Sequence, residues 1–149
     1  LQRGEPIIFQ SGNTGTAVRA SSAIPGVFPP VGFGGREYVD GGLVAPIPAR
    51  EARSLGADIV IAVDISGRPS GKKNQGSLDV LLDTIAIMGG ALGKAELTAA
   101  DVVIRPELRG LPATNFQQRH EAILEGEKAG FAAIARVREA IAAWQRKNG

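Results

Sequence analysis

The stretch Glu37-Tyr38-Val39-Asp40-Gly41-Gly42 governs how the rest of the chain is interpreted. Residues suited to an extended strand end in a carboxylate, and two glycines follow it directly. Glycine has no Cβ and tolerates positive φ, so the pair permits a sharp turn and the close approach of another group. The pattern predicts that Asp40 lies at the carboxyl end of a strand, where open α/β sheets place their ligands. These residues alone allow two interpretations: a general base whose direction the scaffold fixes, and an ordinary Asp-Gly turn.

The composition is that of one globular domain. Of the 149 residues, 44% are hydrophobic and 21% charged, which is enough apolar material for a core. A formal net charge of +2, together with only five Phe, one Tyr and one Trp, argues against a base-stacking surface. The absence of cysteine excludes disulfides and thiolate metal sites. We therefore expect no metal site, no cofactor and no nucleic-acid partner.

A short strand and a helix are predicted upstream of the Asp-Gly-Gly stretch. Ile7-Ile8-Phe9 has the composition of a buried strand, and the helix covers residues 17–23 with Asn13 or Thr14 as its N-cap. The small side chains of this helix allow close packing. The pair Ser21-Ser22 has no Gly-x-Ser-x-Gly turn around it, so we interpret both serines as packing residues rather than nucleophiles.

A stiff apolar loop with three prolines follows at residues 24–30 and is called the proline loop below; its prolines fix φ and end the helix. Two interpretations stay open: the loop covers the core, or it walls an apolar pocket. The candidate pocket residues are Ile24, Pro25, Gly26, Val27 and Phe28. The next segment, residues 32–36, is rich in glycine. It precedes a predicted strand, whereas a phosphate-binding loop follows a strand and opens a helix. We therefore predict a hairpin turn there.

Beyond Gly42 the pattern predicts a helix and a second strand, which complete a βαβ unit. Pro48 suits the first turn of a helix over residues 49–55, and Gly56 ends it. Residues 59–63 are apolar at every position, as expected of a parallel strand covered on both faces. Asp64 ends that strand. A carboxylate that accepts hydrogen bonds from nearby backbone amides is favoured there over a catalytic group or a metal ligand.

The remaining chain predicts a second βαβ unit and a closing helix. After a polar loop at residues 67–76, Ser77 is the expected cap of a helix, and a short strand covers residues 101–106. Asn115 is the expected cap of the closing region, in which His120 is interpreted as a surface residue. For the apolar stripe of the Ser77 helix, core packing is expected and a membrane contact is the alternative. That stripe consists of Leu78, Leu81, Leu82, Ile85, Met88 and Leu92.

Three motifs, taken in order and at their intervals, resemble the patatin-like phospholipases, and among these the bacterial members. They are residues 19–30, residues 38–42 and Pro46-Ile47-Pro48. The resemblance implies a three-layer α/β/α sandwich with a mostly parallel sheet, incomplete in this chain. It also implies chemistry by a Ser-Asp dyad that cleaves acyl esters. By position, Asp40 is the base of that dyad, and Gly41 and Gly42 form its motif turn.

The family's nucleophile lies in a Gly-x-Ser-x-Gly elbow, and no such sequence occurs in these 149 residues. The resemblance therefore covers only the C-terminal half of the catalytic domain. The chain also begins at Leu1 without a Met, which we interpret as the mark of a fragment. We expect residues 1–149 to be the C-terminal part of one catalytic domain that needs a missing N-terminal half for its nucleophile. The chain by itself is expected to hydrolyse no ester.

The function expected of the complete domain is a serine acyl-ester hydrolase of the phospholipase A, lysophospholipase or esterase type. The alternative is a non-catalytic fragment or subunit that acts as a binding or regulatory module. A metal- or nucleotide-binding protein using Asp40 and Asp64 stands behind both. No stretch reaches the ~18 apolar residues of a membrane span. We expect a cytoplasmic protein. Association with a membrane surface and assembly into a homo-oligomer are left open.

Overall fold

The computed structural model describes residues 3–66, 76–108, 111 and 116–149. The chain divides into two compact units. The first draws on Leu1–Pro46 and Arg68–Leu92, and the second on Ile47–Gly67 and Gly93–Gly149. The helices are α1 (Thr14–Ser21), α2 (Ala49–Ser54), α3 (Ser77–Glu96) and α4 (Arg119–Asn148), and the strands are β1 (Val31–Phe33), β2 (Arg36–Tyr38), β3 (Ile61–Val63) and β4 (Val102–Ile104).

The first unit contains a capped helix and a hairpin. The Asn13 side chain accepts a hydrogen bond from the Thr16 backbone N–H at 2.9 Å and so caps α1, as the sequence predicts. Strands β1 and β2 pair antiparallel. Their connection is Gly34-Gly35, with φ of 61° and 71°, which is the two-residue turn that suits the twist of paired strands. The predicted hairpin turn is confirmed.

The core of the first unit is small. Ala20, Ala23 and Val31 are buried together, with Phe33 and Tyr38 packed against them. Short side chains at the end of α1 allow the hairpin to approach the helix closely, which is the role that the sequence predicts for this small-residue helix.

An aromatic cluster anchors the N-terminal segment to the hairpin. The ring of Phe9 lies 5.6 Å from that of Phe33 and 5.4 Å from that of Tyr38, measured between centroids. Residues 7–9 nevertheless form no strand, and Ile7 is 46% exposed. The predicted strand is wrong, because a strand needs a neighbouring backbone to pair with, and the described residues provide none here.

The second unit is built on a parallel strand pair. Ile61 of β3 lies opposite Val102 of β4, and Val63 lies opposite Ile104. Two further bonds extend the pairing: the Asp64 N–H donates to the Ile104 carbonyl and the Asp101 N–H to the Val60 carbonyl, each at 2.8 Å. Strands β3 and β4 pair in parallel, and α3 lies between them in chain order, as the second predicted βαβ unit requires.

The first predicted βαβ unit is wrong. Helix α2 begins after Pro48 and ends before Gly56, whose φ is +94°, much as the sequence indicates. Strand β2, however, pairs only with β1 among the described strands and does not enter the parallel sheet. A run of three residues such as Arg36–Tyr38 carries no sign of whether its partner is parallel or antiparallel, so the pattern could not decide this.

One face of β3 is uncovered in the second unit. Ala62 is 6% exposed, whereas Ile61 is 43% and Val63 50% exposed. The expectation of a strand covered on both faces is therefore met on one face only. The stripe on α3 likewise departs from the predicted core packing: its exposed members are Leu78, Leu81, Met88 and Leu92.

Candidate active site

Asp40 lies two residues after β2, at the start of a single 3₁₀ turn, Gly41–Leu43. Its Oδ1 accepts a hydrogen bond from the Gly42 backbone N–H at 2.7 Å. Its own backbone N–H donates to the Ala23 carbonyl at 3.0 Å, which holds the turn against the end of α1. Asp40 therefore follows the carboxyl end of a strand, as predicted, but that strand belongs to the antiparallel hairpin and not to the parallel β3–β4 pair.

The two glycines provide space rather than an unusual φ, since neither has a positive φ. A Cβ on Gly42 would lie 2.9 Å from the Oδ1 of Asp40, closer than carbon and oxygen normally approach. A Cβ on Gly41 would lie 3.7 Å from the Ser21 hydroxyl, an ordinary contact. Gly42 therefore lets the Asp40 carboxylate fold back onto the turn.

The second oxygen of this carboxylate is open. Within the described part of the chain, Oδ2 of Asp40 has no hydrogen-bond or ion-pair partner. The residue is half-buried. Its direction is thus fixed through one oxygen, while the other can accept a proton or a hydrogen bond.

The candidate pocket loop is tightly folded. The Ile24 carbonyl accepts the backbone N–H of Val27 at 3.0 Å and of Phe28 at 2.9 Å. Gly26 has a φ of +83°, and a Cβ there would meet Leu78 at 2.9 Å. Ile24 and Pro25 are half-buried, whereas Val27 and Phe28 are 39% and 53% exposed.

A cavity of about 220 Å³ opens in the first unit beside this loop. It is lined by Arg19, Ser22, Ala23, Phe28, Pro29 and Val31. Of the five candidate pocket residues, Phe28 alone lines it. Asp40 does not line the cavity. Its backbone N–H donates a hydrogen bond to the carbonyl of Ala23, and Ala23 is a lining residue. The sequence analysis did not name Arg19 as a pocket residue, although Arg19 lies only a few residues before the proline loop in the sequence.

Asp64 has the structural role that the sequence favours. Its oxygens accept from the Ser66 backbone N–H at 3.1 Å and from the Arg105 Nε at 3.0 Å. Burial by itself would raise the pKa of Asp64, but hydrogen bonds from the side chain and backbone of Ser66, together with Arg105, hold that pKa below the ordinary 3.8. The carboxylate stays charged and has both oxygens engaged.

Asp101 has a role that sequence reasoning did not assign. Its Oδ2 accepts from the Val60 backbone N–H at 2.7 Å and from the Arg53 guanidinium at 2.6 Å. The Val60 hydrogen bond contributes most to lowering the pKa of Asp101, and Arg53 adds to it against the opposing effect of burial. Asp101 therefore ties the start of β4 to the residue before β3.

The other candidate groups lie at the surface. Ser21, Ser22 and His120 are exposed. No group of three or more metal-ligating side chains occurs within the described ranges. Among the helices of those ranges, none is long and apolar enough to cross a membrane. Asn115, the predicted cap of the last helix, and most of the polar loop at residues 67–76 lie outside the described residues.

Residues 10–53 match the sequence model of a family described as patatin-like phospholipase. An uncharacterized NTE family protein of Mycobacterium tuberculosis is 41% identical over 71 residues, 48% of this chain and 20% of the relative. A second such protein of the same organism is 28% identical over 156 aligned positions, 88% of this chain and 27% of the relative. Lysophospholipase NTE1 of Yarrowia lipolytica is 25% identical over 159 positions, 89% of this chain and 11% of the relative.

Together these matches support a patatin-like phospholipase family for this chain. The matched range contains α1, the proline loop, the hairpin and the Asp40 turn. The α/β class is likewise confirmed, since helices accompany the parallel β3–β4 pair as in part of an α/β/α sandwich. The chain spans about a quarter or less of the length of these three relatives.

Proposed function

We propose that Asp40 is the general base of a serine acyl-ester hydrolase and that polypeptide outside these 149 residues supplies the nucleophilic serine. The observation that carries this proposal is the state of the carboxylate. Its Oδ1 is fixed by the Gly42 N–H at 2.7 Å, while its Oδ2 is without a partner in the described residues. A base needs a fixed direction and one free acceptor atom, and Asp40 has both.

The proposed reaction moves one proton through that free oxygen. As the serine oxygen attacks the ester carbonyl carbon, its hydroxyl proton passes to Oδ2 of Asp40. The carbonyl π electrons move to oxygen, and on their return the alcohol leaves and takes the proton back from Asp40. A water molecule then attacks the acyl-serine by the same two steps, which frees the carboxylic acid and restores both residues. The Gly42 hydrogen bond keeps the carboxylate directed throughout.

The exposed face of β3 supports a contribution from further polypeptide. Ile61 and Val63 on that face are 43% and 50% exposed, although the strand reads as one that is covered on both sides. Burying a valine or isoleucine side chain stabilises a fold by roughly 1.5–3 kcal/mol, so such a face favours a covering layer. We propose that the N-terminal half of the catalytic domain provides it.

The proposed substrate is a phospholipid, a lysophospholipid or a simpler acyl ester. Support comes from the family and from the lysophospholipase among the relatives. The cavity wall adds apolar surface from Phe28, Pro29 and Val31, two residues of the proline loop and the first of β1. Such a wall suits an acyl chain.

The test uses the protein together with its natural upstream sequence and measures hydrolysis of a short-chain p-nitrophenyl ester. We expect Asp40→Asn to lower kcat by roughly three to four orders of magnitude, as when the carboxylate of a serine hydrolase is removed. Asp58→Asn is the matched control, because Asp58 is exposed and its side chain makes no described hydrogen bond. Circular dichroism checks that both variants fold.

Two results would overturn the proposal. One is an Asp40→Asn enzyme that retains the activity of the unsubstituted protein. The other is ester hydrolysis by the 149-residue chain alone, since that chain is proposed to lack the nucleophile. Activity in the extended protein that only Asp40→Asn removes supports it.

A further inference from the structure

The cavity of the first unit has one cationic group in its wall and no anionic group. Its six lining residues are Arg19, Ser22, Ala23, Phe28, Pro29 and Val31. In the described part of the chain, the Arg19 side chain makes no ion pair or hydrogen bond. Arg19 is exposed, so the cavity is open to solvent on its side. An exposed arginine without a carboxylate beside it can pair with an anion from solution.

A role in helix stability does not explain this arrangement fully. Arg19 lies in the last turn of α1, where a cation interacts favourably with the helix dipole. The same dipole brings partial negative charge to that end of the helix, which by itself would repel an anion. The neighbouring backbone N–H of Ser22 is already engaged, since it donates to the Val18 and Arg19 carbonyls. The positive charge in the cavity wall is therefore that of the Arg19 guanidinium, and the Ser22 hydroxyl is a neutral donor in the same wall.

The size of the cavity restricts the ligand. At about 220 Å³ it is smaller than the roughly 300–1,000 Å³ typical of drug-sized sites. It can hold one end of an amphiphile, with an anionic group at Arg19 and a few methylenes against Phe28 and Val31. A whole two-chain lipid exceeds it.

We propose that this cavity binds the anionic end of a single-chain amphiphile, through a carboxylate or a phosphate paired with Arg19. The inference rests on the proposed function, because it identifies the ligand as a product or substrate of acyl hydrolysis. A fatty acid presents a carboxylate, and a lysophospholipid presents a phosphate. The backbone links the cavity to the base: the Ala23 carbonyl, in the cavity wall, accepts the Asp40 N–H at 3.0 Å.

The experiment is an NMR titration of the ¹⁵N-labelled 149-residue chain with hexanoate, hexyl phosphate and hexanol. These probes share a chain length and differ in the head group. We expect shifts at the amides of Arg19, Ser22 and Phe28, with the Asp40 amide following because of its bond to Ala23. At least one anion should bind ten-fold or more tightly than hexanol. A preference for hexanoate indicates a fatty acid, and a preference for hexyl phosphate indicates a phosphate head group.

Variants separate pairing at Arg19 from general attraction to a basic protein. We expect Arg19→Gln to remove the ten-fold preference for the anion and Arg19→Lys to retain part of it. Arg36→Gln is the matched control, since Arg36 is exposed on the same unit's hairpin and lines no part of the cavity. It should bind as the unsubstituted chain does.

Equal affinity for hexanol and both anions overturns the inference, and so does an unchanged preference in Arg19→Gln. An equal loss in Arg36→Gln also overturns it, because that result means attraction to net charge. Binding requires neither the serine nor turnover. If the inference alone fails, hydrolysis still depends on Asp40, but the chain binds anions no more tightly than hexanol. If the proposed function alone fails, the chain still prefers the anion, but its activity does not depend on Asp40.

Discussion

The two units hold aspartates at the ends of strands and use them differently. In the first unit, Asp40 has one oxygen bonded to the Gly42 N–H and the other open. In the second unit, both oxygens of Asp64 are engaged, one by Ser66 and one by Arg105. Placement after a strand is common to both residues. What separates them is the number of partners that the carboxylate has already found.

Asp101 of the second unit extends the contrast. One of its oxygens accepts from both the Val60 N–H and the Arg53 guanidinium, and the same arginine donates to the Ala57, Asp58 and Ala99 carbonyls. That carboxylate holds strand ends together. The other oxygen of Asp101, Oδ1, has no partner among the described residues, so a free oxygen alone does not mark a carboxylate for chemistry. Asp101 differs from Asp40 in that it is paired with an arginine.

The largest expected effect separates Asp40 from Asp64 by activity. In the extended protein, Asp40→Asn should lower kcat by roughly 10³- to 10⁴-fold with little change in unfolding free energy. Asp64→Asn should leave kcat per folded molecule unchanged, because its oxygens are occupied by Ser66 and Arg105. Initial rates and urea titrations of both variants make the measurement. A loss of kcat in Asp64→Asn as large as that in Asp40→Asn would end the distinction.

The next effect compares a glycine from each unit. Gly26 and Gly56 both have positive φ, at +83° and +94°. A Cβ at Gly26 would also meet Leu78 at 2.9 Å, whereas nothing lies within 4 Å of one at Gly56. We expect Gly26→Ala to cost roughly 2–3 kcal/mol and Gly56→Ala about 1–2 kcal/mol. Urea unfolding measures both, and equal losses would show that the contact with Leu78 contributes nothing.

A smaller effect on stability is expected at Asp101, whose hydrogen bonds to Val60 and Arg53 are called the Asp101 clamp. Asp101→Asn removes the charge from an oxygen that accepts two hydrogen bonds, but the side chain is 38% exposed. Water therefore replaces part of what is lost, and we expect a destabilisation of about 1 kcal/mol. Thermal unfolding of the second unit, followed by Trp144 fluorescence, measures the change in unfolding free energy. Unchanged stability would mean that the clamp is incidental.

Acid should destabilise the fold through the carboxylates of Asp64 and Asp101. The pKa values of Asp64 and Asp101 are lowered in the folded chain, so the charged form of each is favoured by folding. Their contribution is full above the unfolded pKa of about 3.8 and is lost as the pH falls from there through the lower folded values. We expect stability to decline below pH 4, with a shallower decline in the Asp64→Asn/Asp101→Asn double variant. Parallel curves for the two proteins would contradict the assignment.

The smallest effect is at Arg105. Its side chain is 61% exposed, and its ion pair with Asp64 is therefore screened by water. We expect Arg105→Gln to cost no more than about 0.5 kcal/mol, and less at high salt. Urea titrations at low and at 1 M salt measure this. A salt-independent loss above 1 kcal/mol would show that Arg105 acts by packing rather than by charge.

Features of local origin could be predicted from the sequence. Asn13 is followed by a helix that its side chain can cap, and Gly34-Gly35 can adopt the positive φ that a two-residue hairpin turn needs. The place of the Asp40 turn also followed from its two glycines. In each case a few neighbouring residues decide the conformation, so the pattern is sufficient.

Long-range choices could not be predicted in this way. Strand β2 pairs antiparallel with β1, and residues 7–9 pair with nothing described, although both stretches have ordinary strand composition. The exposed stripe on α3 has the same periodicity as a buried one. Which surface meets another depends on contacts between residues far apart in sequence, and composition does not encode a partner.

The sequence by itself determined the family motifs, the Asn13 cap, the hairpin turn, the parallel β3–β4 pair and the candidate base. Only the tertiary structure decided that Asp40 keeps a free oxygen and has no ion-pair partner, that Asp64 and Asp101 are each paired with an arginine, and that Arg19 lines an apolar cavity. The physical reason is that the partners of a carboxylate or a guanidinium arrive from distant parts of the chain. A residue's type fixes what it can bind, and the folded arrangement fixes what it has already bound.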